Sequence, residues 1–339
     1  MNRRAFLDDS VIRRRAFVGA IGLGLLAAHR RAHGQASATV YRVAHLSAPA
    51  TGRTRPNFEF FLDGLRELGY DLGRSVHVED VRGDPSKPEE FTALAVRIVA
   101  RGFDVILAAG PPSIEAAVKA TKTIPIVGID LESDPVARGW AISLARPGGH
   151  VTGFFLDIPE MSGKQLQFLL EAKPRLSRVA VLGDRRVADL QFKAIEAAAR
   201  VARLTLQILA ITNSDEIERV VAEAARQRAG GLIVLTSPLI FGAQPRIAEQ
   251  ALKQNIATIC PFVPSFVEVG GLLAYGPDFP DLYRRAATYV DRILKGTKVG
   301  DLPVQRPEKF QLALNLRTAM ALGLTIPQSL LVRADKVID

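Results

Sequence analysis

Cysteine is nearly absent from this sequence, with Cys260 alone among 339 residues. An internal disulfide is therefore excluded, and so is a mechanism that needs two thiols, such as that of a cysteine-based racemase. Cys260 lies in the apolar run 256–262, where a buried thiol is the ordinary expectation. We predict a structural role for this side chain.

Signatures of catalysis and of metal binding are also missing. The sequence has neither a Gly-x-Ser-x-Gly turn nor a phosphate-binding loop that ends in Gly-Lys-Ser/Thr. Of five His residues, two lie in the first 36 positions, and His45, His77 and His150 are too far apart for local metal-ligand spacing. We therefore predict a protein that is not an enzyme, with no catalytic residue, no metal and no cofactor.

Basic clusters and long apolar runs are scarce beyond the N-terminal region. The formal net charge is +9, but residues 1–34 hold seven Arg and two Asp, a net of +5, which leaves +4 for the rest. No Lys/Arg cluster interleaved with aromatic residues remains in that part, so nucleic acid is not a predicted partner. No apolar segment after residue 36 has the ~20 residues needed to span a bilayer.

The first 36 residues have the pattern of an export signal. Three arginines at 13–15 precede an apolar stretch at 16–28, and small residues follow at 32–36. The segment RRAFV at 14–18 resembles the twin-arginine export motif, while the general secretory route and an N-terminal helix packed on the domain are the alternatives. We predict a periplasmic protein whose signal peptide is cleaved near residues 34–36.

From residue 40 onward, short apolar segments typical of strands alternate with segments of helical periodicity. In a chain that is 48% hydrophobic, this alternation predicts buried parallel strands covered by helices. The alternation restarts after the Pro-Gly-Gly at 147–149, which predicts an α/β protein of two doubly wound parallel-sheet lobes joined by hinge linkers. The predicted first lobe comprises 37–152 and about 273–303, and the second comprises 153–272 and about 304–339.

Candidate ligand-binding residues follow from this architecture. In an open parallel sheet, ligands bind beyond the carboxyl ends of the strands, so the loops after the predicted strands are the candidate site. The residues selected from these loops are Ser47, Thr51, Gly110, Pro111, Ser113, Asp130, Asp134, Phe155, Asp184, Ser237, Phe262 and Tyr275.

These loops offer two kinds of chemistry. Residues 110–113 open a helix, whose free N–H groups and serine hydroxyl suit a carboxylate. Acceptors for an ammonium group are supplied by Asp130, Glu132, Asp134 and Asp184. A cleft with both would suit an amino-acid-like zwitterion, with Phe155, Phe262 or Tyr275 packing on its side chain.

Several of these residues have structural alternatives. Asp130, Glu132 and Asp134 are equally suited to capping or solvating a turn. Asp184 is followed by Arg185 and Arg186, which favours a surface salt bridge as much as a ligand contact. Tyr275 fits a core position as well as a pocket.

Longer motifs resemble a known family over almost the whole chain after the N-terminal region. They are SLARPGGHVTG at 143–153, FLDGLRELGY at 61–70, DPV at 134–136, YGP at 275–277, DLYRRAA at 281–287, LPV at 302–304 and ALGLTIP at 321–327. These segments are similar to those of the tryptophan/tyrosine-type ABC transporter substrate-binding proteins. The resemblance implies a type I periplasmic-binding-protein fold, a small-molecule ligand, and permease and ATPase subunits of an importer as partners. It also implies a monomer.

The loops that line the implied pocket depart from this family. Where such proteins often have a small, weakly polar run before Asp134, this chain has GIDLES at 128–133, and GDRR at 183–186 replaces an Asn-Pro turn. Both changes add charge next to the ligand. The alternative functions are a ligand-sensing module for a membrane receptor and a secreted enzyme on the same two-lobe frame.

Overall fold

The computed structural model describes residues 40–49, 57–156 and 158–339. The predicted export signal at 1–36 and the candidate residue Thr51 lie outside the described residues, so both stay predictions. Among the described residues, no helix combines the length and the apolar character needed to cross a membrane.

The first lobe is built on a sheet to which the described residues contribute five parallel strands. In chain order these are β1 (Tyr41–Ser47), β2 (Val76–Arg82), β3 (Val105–Ala109), β4 (Ile126–Asp130) and β5 (Val151–Phe155). Helices α1 (Asn57–Glu67), α2 (Pro88–Ala100) and α3 (Pro111–Ala120) follow the first three strands. The spatial order is β2-β1-β3-β4-β5, and the central strands are buried because helices cover both faces of the sheet.

The second lobe is built on a larger sheet, with seven strands among the described residues. They are β6 (Arg178–Asp184), β7 (Thr205–Ile211), β8 (Gly231–Val234), β9 (Ala257–Cys260), β10 (Leu273–Pro277), β11 (Phe310–Asn315) and β12 (Lys336–Ile338). Its helices are α4 (Ile158–Ala172), α5 (Asp189–Val201), α6 (Ile217–Arg226), α7 (Pro238–Lys253), α8 (Ser265–Glu268), α10 (Leu316–Ala321) and α11 (Gln328–Leu331). The order is β12-β11-β10-β9-β8-β6-β7, and of these strand pairs only β10 and β11 run antiparallel.

Helix α9 (Phe279–Leu294) returns from the second sheet to the first lobe. It packs on α1 so closely that a Cβ on Gly64 would lie 2.8 Å from the Cβ of Ala287. The chain then passes back along β5, where Thr152 Oγ1 donates to the Leu302 carbonyl oxygen at 2.8 Å. The Gln305 N–H also donates to the Gly153 carbonyl oxygen at 2.8 Å, so the crossing segments are tied to each other.

The sheets divide the strands differently from the predicted lobe boundaries. β5 pairs with β4 in the first sheet, although 153–155 was assigned to the second lobe. β10 lies in the second sheet, between β9 and β11, although 273–277 was assigned to the first. The chain therefore crosses from the second lobe to the first after Pro277, because β10 is paired in the second sheet as far as Pro277 and α9 begins at Phe279. The extents of the lobes as folding units stay a prediction.

Candidate ligand-binding cleft

The carboxyl ends of strands from both sheets meet at a cavity of about 90 Å³, which we call the cleft cavity. Loops after β1, β3 and β4 and the starts of α1 and α9 line it from the first lobe, and the start of α7 and the loop after β9 line it from the second. Its described lining is Ala48, Asn57, Ala109, Gly110, Ile129, Leu131, Glu132, Ser237, Pro238, Phe241, Phe262, Phe279 and Tyr283. The cavity therefore lies where ligands usually bind in proteins with open parallel sheets.

The two lobes touch at this cavity. Gly110 has a φ of +80°, and a Cβ at this position would lie 2.9 Å from Cγ of Pro238 on the other lobe. Beside this contact, Thr236 Oγ1 lies 3.2 Å from the carbonyl oxygen of Leu131. The structure thus has the lobes closed on each other around the cavity.

An acid pair lies in the loop after β4. Asp130 is fully buried, and Glu132 is 5% exposed. Asp130 Oδ1 accepts the N–H of Glu132 at 2.8 Å and that of Ser133 at 3.1 Å, which fixes the turn. Asp130 Oδ2 is buried and has no hydrogen-bond partner among the described residues. A buried carboxylate oxygen without a donor is costly, and a cation in the cavity would relieve that cost.

The electrostatics of this pair favour a proton on Glu132 when the cavity is empty. Burial raises the pKa of Glu132 well above its usual range, and the neighbouring charge of Asp130 raises it further. The Thr236 hydroxyl and the Leu131 N–H lower the pKa of Glu132, but by less. An ammonium group beside Asp130 would reverse this balance, because an opposite charge favours the ionised carboxylate.

We expect the stability of the unliganded protein to fall as the pH rises above the pKa of an unfolded Glu. A carboxyl whose pKa is raised by folding binds more protons in the folded state, so its contribution is complete below the unfolded pKa and is lost through the folded pKa. Urea unfolding between pH 4.5 and pH 9 measures this slope. Glu132→Gln should flatten it. A slope that is equal in both proteins would mean that Glu132 does not titrate as described.

Gln191 positions the second-lobe side of the contact with this loop. Its Oε1 accepts the Thr236 N–H at 2.9 Å and the Thr236 hydroxyl at 2.7 Å, and its Nε2 donates to the Thr236 carbonyl oxygen at 2.9 Å. Both residues are buried. The amide of Gln191 thus holds the Thr236 hydroxyl next to Leu131 and the acid pair.

Aromatic rings form a large part of the described lining. Phe241 and Phe262 meet edge to face with their centroids 4.9 Å apart, and Phe279 lies 6.0 Å from Phe262. Tyr283 is buried, and this burial raises the pKa of its hydroxyl, so it stays neutral. The cavity thus combines a buried acid pair with apolar ring surface.

Three of the predicted ligand-binding residues, Gly110, Ser237 and Phe262, line the cleft cavity. Asp130 lies directly behind Glu132 in the acid pair. The wall residues Phe241, Phe279 and Tyr283 were not predicted, although Phe279 precedes Tyr283 by one helical turn. That spacing places the two residues on one face of α9, but it does not show whether this face lies in the protein core or in a ligand pocket.

Asp134 and Phe155 line a different cavity of about 310 Å³. Ser133, whose N–H is bonded to Asp130, also belongs to the lining of this second cavity. Asp134 Oδ1 accepts the N–H groups of Val136 at 2.8 Å and Ala137 at 3.1 Å. Asp134 therefore caps a turn, the structural alternative considered for it, and the structure does not bring it to the cleft cavity.

Asp184 forms a salt bridge with Arg186. Arg186 Nε donates to Asp184 Oδ1 at 2.9 Å, and Arg186 Nη2 donates to Oδ2 at 2.8 Å. Arg186 Nη1 reaches across to the other lobe and donates to the carbonyl oxygen of Pro85 at 2.8 Å. Asp184 thus orients an arginine that joins the two lobes, and it is not part of the lining of the cleft cavity.

The start of α3 lacks two of the backbone N–H donors that we predicted there. Pro111 and Pro112 occupy its first positions and carry no N–H, so the prediction of free N–H groups was wrong for both. Ser113 is fully buried, and its hydroxyl has no hydrogen-bond partner among the described residues.

Ser47 and Tyr275 also lie outside the cleft lining. The Ser47 carbonyl oxygen accepts the Gly83 N–H at 3.0 Å. Tyr275 packs between Phe168 and Phe310, with ring centroids 4.7 and 5.8 Å away. Tyr275 therefore takes the core position that was its structural alternative.

Within the described part of the chain, no three His, Cys, Asp or Glu residues form a group that could hold a metal ion. Cys260 is buried in β9, and burial raises the pKa of its thiol, which keeps it protonated and unreactive.

Known proteins share this architecture. A curated tyrosine-binding protein from Clostridioides difficile (strain R20291) is 26% identical over 268 residues, which cover 78% of this chain and 75% of that protein. The structure of an ABC domain from Streptococcus pneumoniae in complex with L-Trp has a TM-score of 0.80 at 23% identity, over 88% of this chain and all of the other. The ligand-free, open structure of a substrate-binding protein from Clostridium difficile has a TM-score of 0.63 at 23% identity, over 88% of this chain and 99% of the other.

These structures confirm the type I periplasmic-binding-protein fold with its two lobes. The family model described as ABC transporter substrate binding protein matches residues 45–338, which include all of both sheets except 41–44 of β1, and the described lining of the cleft cavity. Since that match takes in most of the 339 residues, the chain belongs to the family of ABC transporter substrate-binding proteins.

Proposed function

We propose that this protein captures a small molecule bearing a protonated amine in the cleft cavity and delivers it to the permease of an ABC importer. The observation that carries the proposal is the acid pair, Asp130 and Glu132, buried where the closed lobes meet. An ammonium group would replace the proton that Glu132 shares with Asp130 and would balance the charge of the ionised pair.

The rest of the cavity supports a ligand with an apolar body. Phe241, Phe262 and Phe279 offer ring surface in the same cavity as Glu132. The tyrosine-binding relative and the L-Trp complex concern ligands that join an amine to an aromatic side chain. That combination fits a cavity that has both aromatic rings and a pair of carboxyl groups.

Capture follows from the two-lobe architecture. A ligand held by both lobes stabilises the closed arrangement, and contacts such as that of Thr236 with Leu131 form only when the lobes meet. The family consists of substrate-binding proteins rather than enzymes and serves importers from outside the cytoplasm. We propose further that this protein is a monomer, that the signal at 1–36 exports it, and that its partners are the permease and ATPase subunits of an importer.

A ligand panel tests the proposal. We expect saturable increases in melting temperature with amine-bearing compounds, because a ligand that binds only the folded state stabilises it, by about 2.7 kcal/mol at a hundredfold excess over Kd. Phe241→Leu should weaken binding about tenfold, since it removes ring surface from the cavity wall. The matched control is Phe192→Leu, a half-buried Phe of the same lobe outside the cavity. Equal losses in the two variants would contradict this site.

A further inference from the structure

An arginine side chain joins the two lobes directly. Arg186 follows β6 of the second lobe, and Pro85 follows β2 of the first lobe. Arg186 Nη1 donates to the carbonyl oxygen of Pro85 at 2.8 Å. Since both partners belong to the chain itself, this bond needs no ligand and forms when the lobes close.

The guanidinium of Arg186 is held in place by its own lobe. Its Nε and Nη2 donate to the two carboxylate oxygens of Asp184 at 2.9 and 2.8 Å, while Nη1 is directed at the other lobe. Asp184 is buried, and a two-pronged pair of this kind fixes the orientation of the planar guanidinium. Because the pair joins positions only two residues apart, it does not depend on the first lobe. Little further freedom is therefore lost when Nη1 bonds Pro85.

The acceptor is fixed by the first lobe in the same way. Pro85 lies in a turn in which Asp84 Oδ1 accepts the Ser86 N–H at 2.8 Å and the Ser86 hydroxyl at 2.6 Å. The Asp84 N–H donates to Glu90 Oε2 at 3.0 Å, which ties the turn to α2. Both sides of the bond between the lobes are thus ordered before the lobes meet.

The bond is strong enough to change the balance between open and closed lobes. Hydrogen bonds from a charged donor are stronger than neutral ones, and 27% of the Arg186 side chain stays exposed, so we take the lower end of their range. Such a bond raises the ratio of closed to open molecules about tenfold. The contact of Gly110 with Pro238 also joins the lobes without a ligand.

We infer that Arg186 is a latch that holds the lobes together without ligand, so that the closed arrangement is the resting state of this protein. Asp184 is a positioning residue that acts through Arg186. The inference rests on the lobe closure of the proposed function but not on the class of the ligand. The resting state differs from that of the relative from Clostridium difficile, whose ligand-free structure is open. A ligand then enters only through the minor open population, and the latch slows its release.

Distances between spin labels on the two lobes, measured by double electron–electron resonance without ligand, test this inference. The labels are attached through Val96→Cys in α2 and Val201→Cys in α5, two exposed positions on different lobes. The native Cys260 is buried and does not compete for the label. We expect mainly the distance that corresponds to this structure. Arg186→Gln should lower the ratio of closed to open molecules about tenfold and add a longer distance.

The matched control is Arg185→Gln, which removes the same charge from the neighbouring position. Arg185 is exposed, and its Nη2 donates to the Ala210 carbonyl oxygen of its own lobe at 3.4 Å. This variant should stay closed. Arg186→Lys should open as Arg186→Gln does, because an ammonium lacks the planar fork that serves Asp184 and Pro85 together.

A double variant guards against an effect on folding. Asp184→Asn with Arg186→Gln removes the buried carboxylate together with its partner, so no unpaired charge is left inside the protein. It should open to the same extent as Arg186→Gln.

Three outcomes would overturn the inference. They are an unaltered protein that is mainly open without ligand, variants at position 186 that remain as closed as the unaltered protein, and equal opening in the Arg185 control. Amine binding is measured separately by ligand titration, so failure of the latch and failure of the proposed function are distinguishable.

Discussion

Replacing Glu132 by Gln should reduce amine binding at least about thirtyfold while the protein keeps its fold. The substitution preserves the size of the side chain and its ability to hydrogen-bond, but it removes a charge that is 5% exposed at the closed interface. Removing one partner of a desolvated, hydrogen-bonded charge pair costs about 2–5 kcal/mol of binding, mostly through faster dissociation. Calorimetry and stopped-flow measurements with the tightest ligand of the panel would show this loss.

The control for this substitution is Glu196→Gln, at an exposed position of α5 far from the lining of the cleft cavity. It should bind ligand as the unaltered protein does. Circular dichroism and the melting temperature without ligand should be retained in both variants, since Gln replaces a carboxyl that is protonated in the empty cavity. If Glu132→Gln bound within threefold of the unaltered protein, the acid pair would not be the amine site.

Replacing Gly153 by Ala should destabilise the protein by about 4 kcal/mol, which is among the largest effects of a single methyl group. Gly153 lies in β5 opposite Gly128 of β4. Its φ is +132°, a conformation that residues with a Cβ rarely adopt, and the Cβ would lie 2.0 Å from the Gly128 carbonyl oxygen. Urea unfolding followed by circular dichroism measures the loss, and misfolding during expression would be the extreme form of it.

Gly163→Ala is the matched control for the same change. Gly163 lies inside α4, and a Cβ there would meet no atom within 4 Å. Ala is favoured over Gly in a helix interior, so this variant should gain about 0.5–1 kcal/mol. A loss of less than 1 kcal/mol for Gly153→Ala would mean that the crossing strand does not pass this close to β4.

Most strands were predictable because each is an apolar run bounded by turn residues, as in 257–260 and 178–183, which correspond to β9 and β6. β5 was missed because its sequence, VTGFF, contains a glycine and follows a Pro-Gly-Gly turn, both typical of a linker. The same residues serve as a strand and as part of the connection between the lobes. β5 is an edge strand of the first sheet, and its Phe154 also pairs with Gln305 of the returning chain. Only the pairing partner reveals this double role.

The candidate site was predictable to the extent that it follows the rule for parallel sheets. Gly110, Ser237 and Phe262 each come directly after a strand, and all three line the cleft cavity. Asp184 comes after a strand as well, yet it binds Arg186 instead. Position after a strand places a residue at the correct edge of the sheet, but the partners of its side chain depend on neighbours that are distant in the sequence.

The sequence by itself determined the alternation of strands and helices, the two-lobe α/β class and the family, because periodicity and contiguous motifs are local properties. Only the tertiary structure decided that Asp130 and Glu132 are buried together, that Thr236 of the other lobe reaches their loop, and that Asp184 holds Arg186. The physical reason is that desolvation and charge interactions depend on distances through space, and the residues that set them here are separated by up to about a hundred positions.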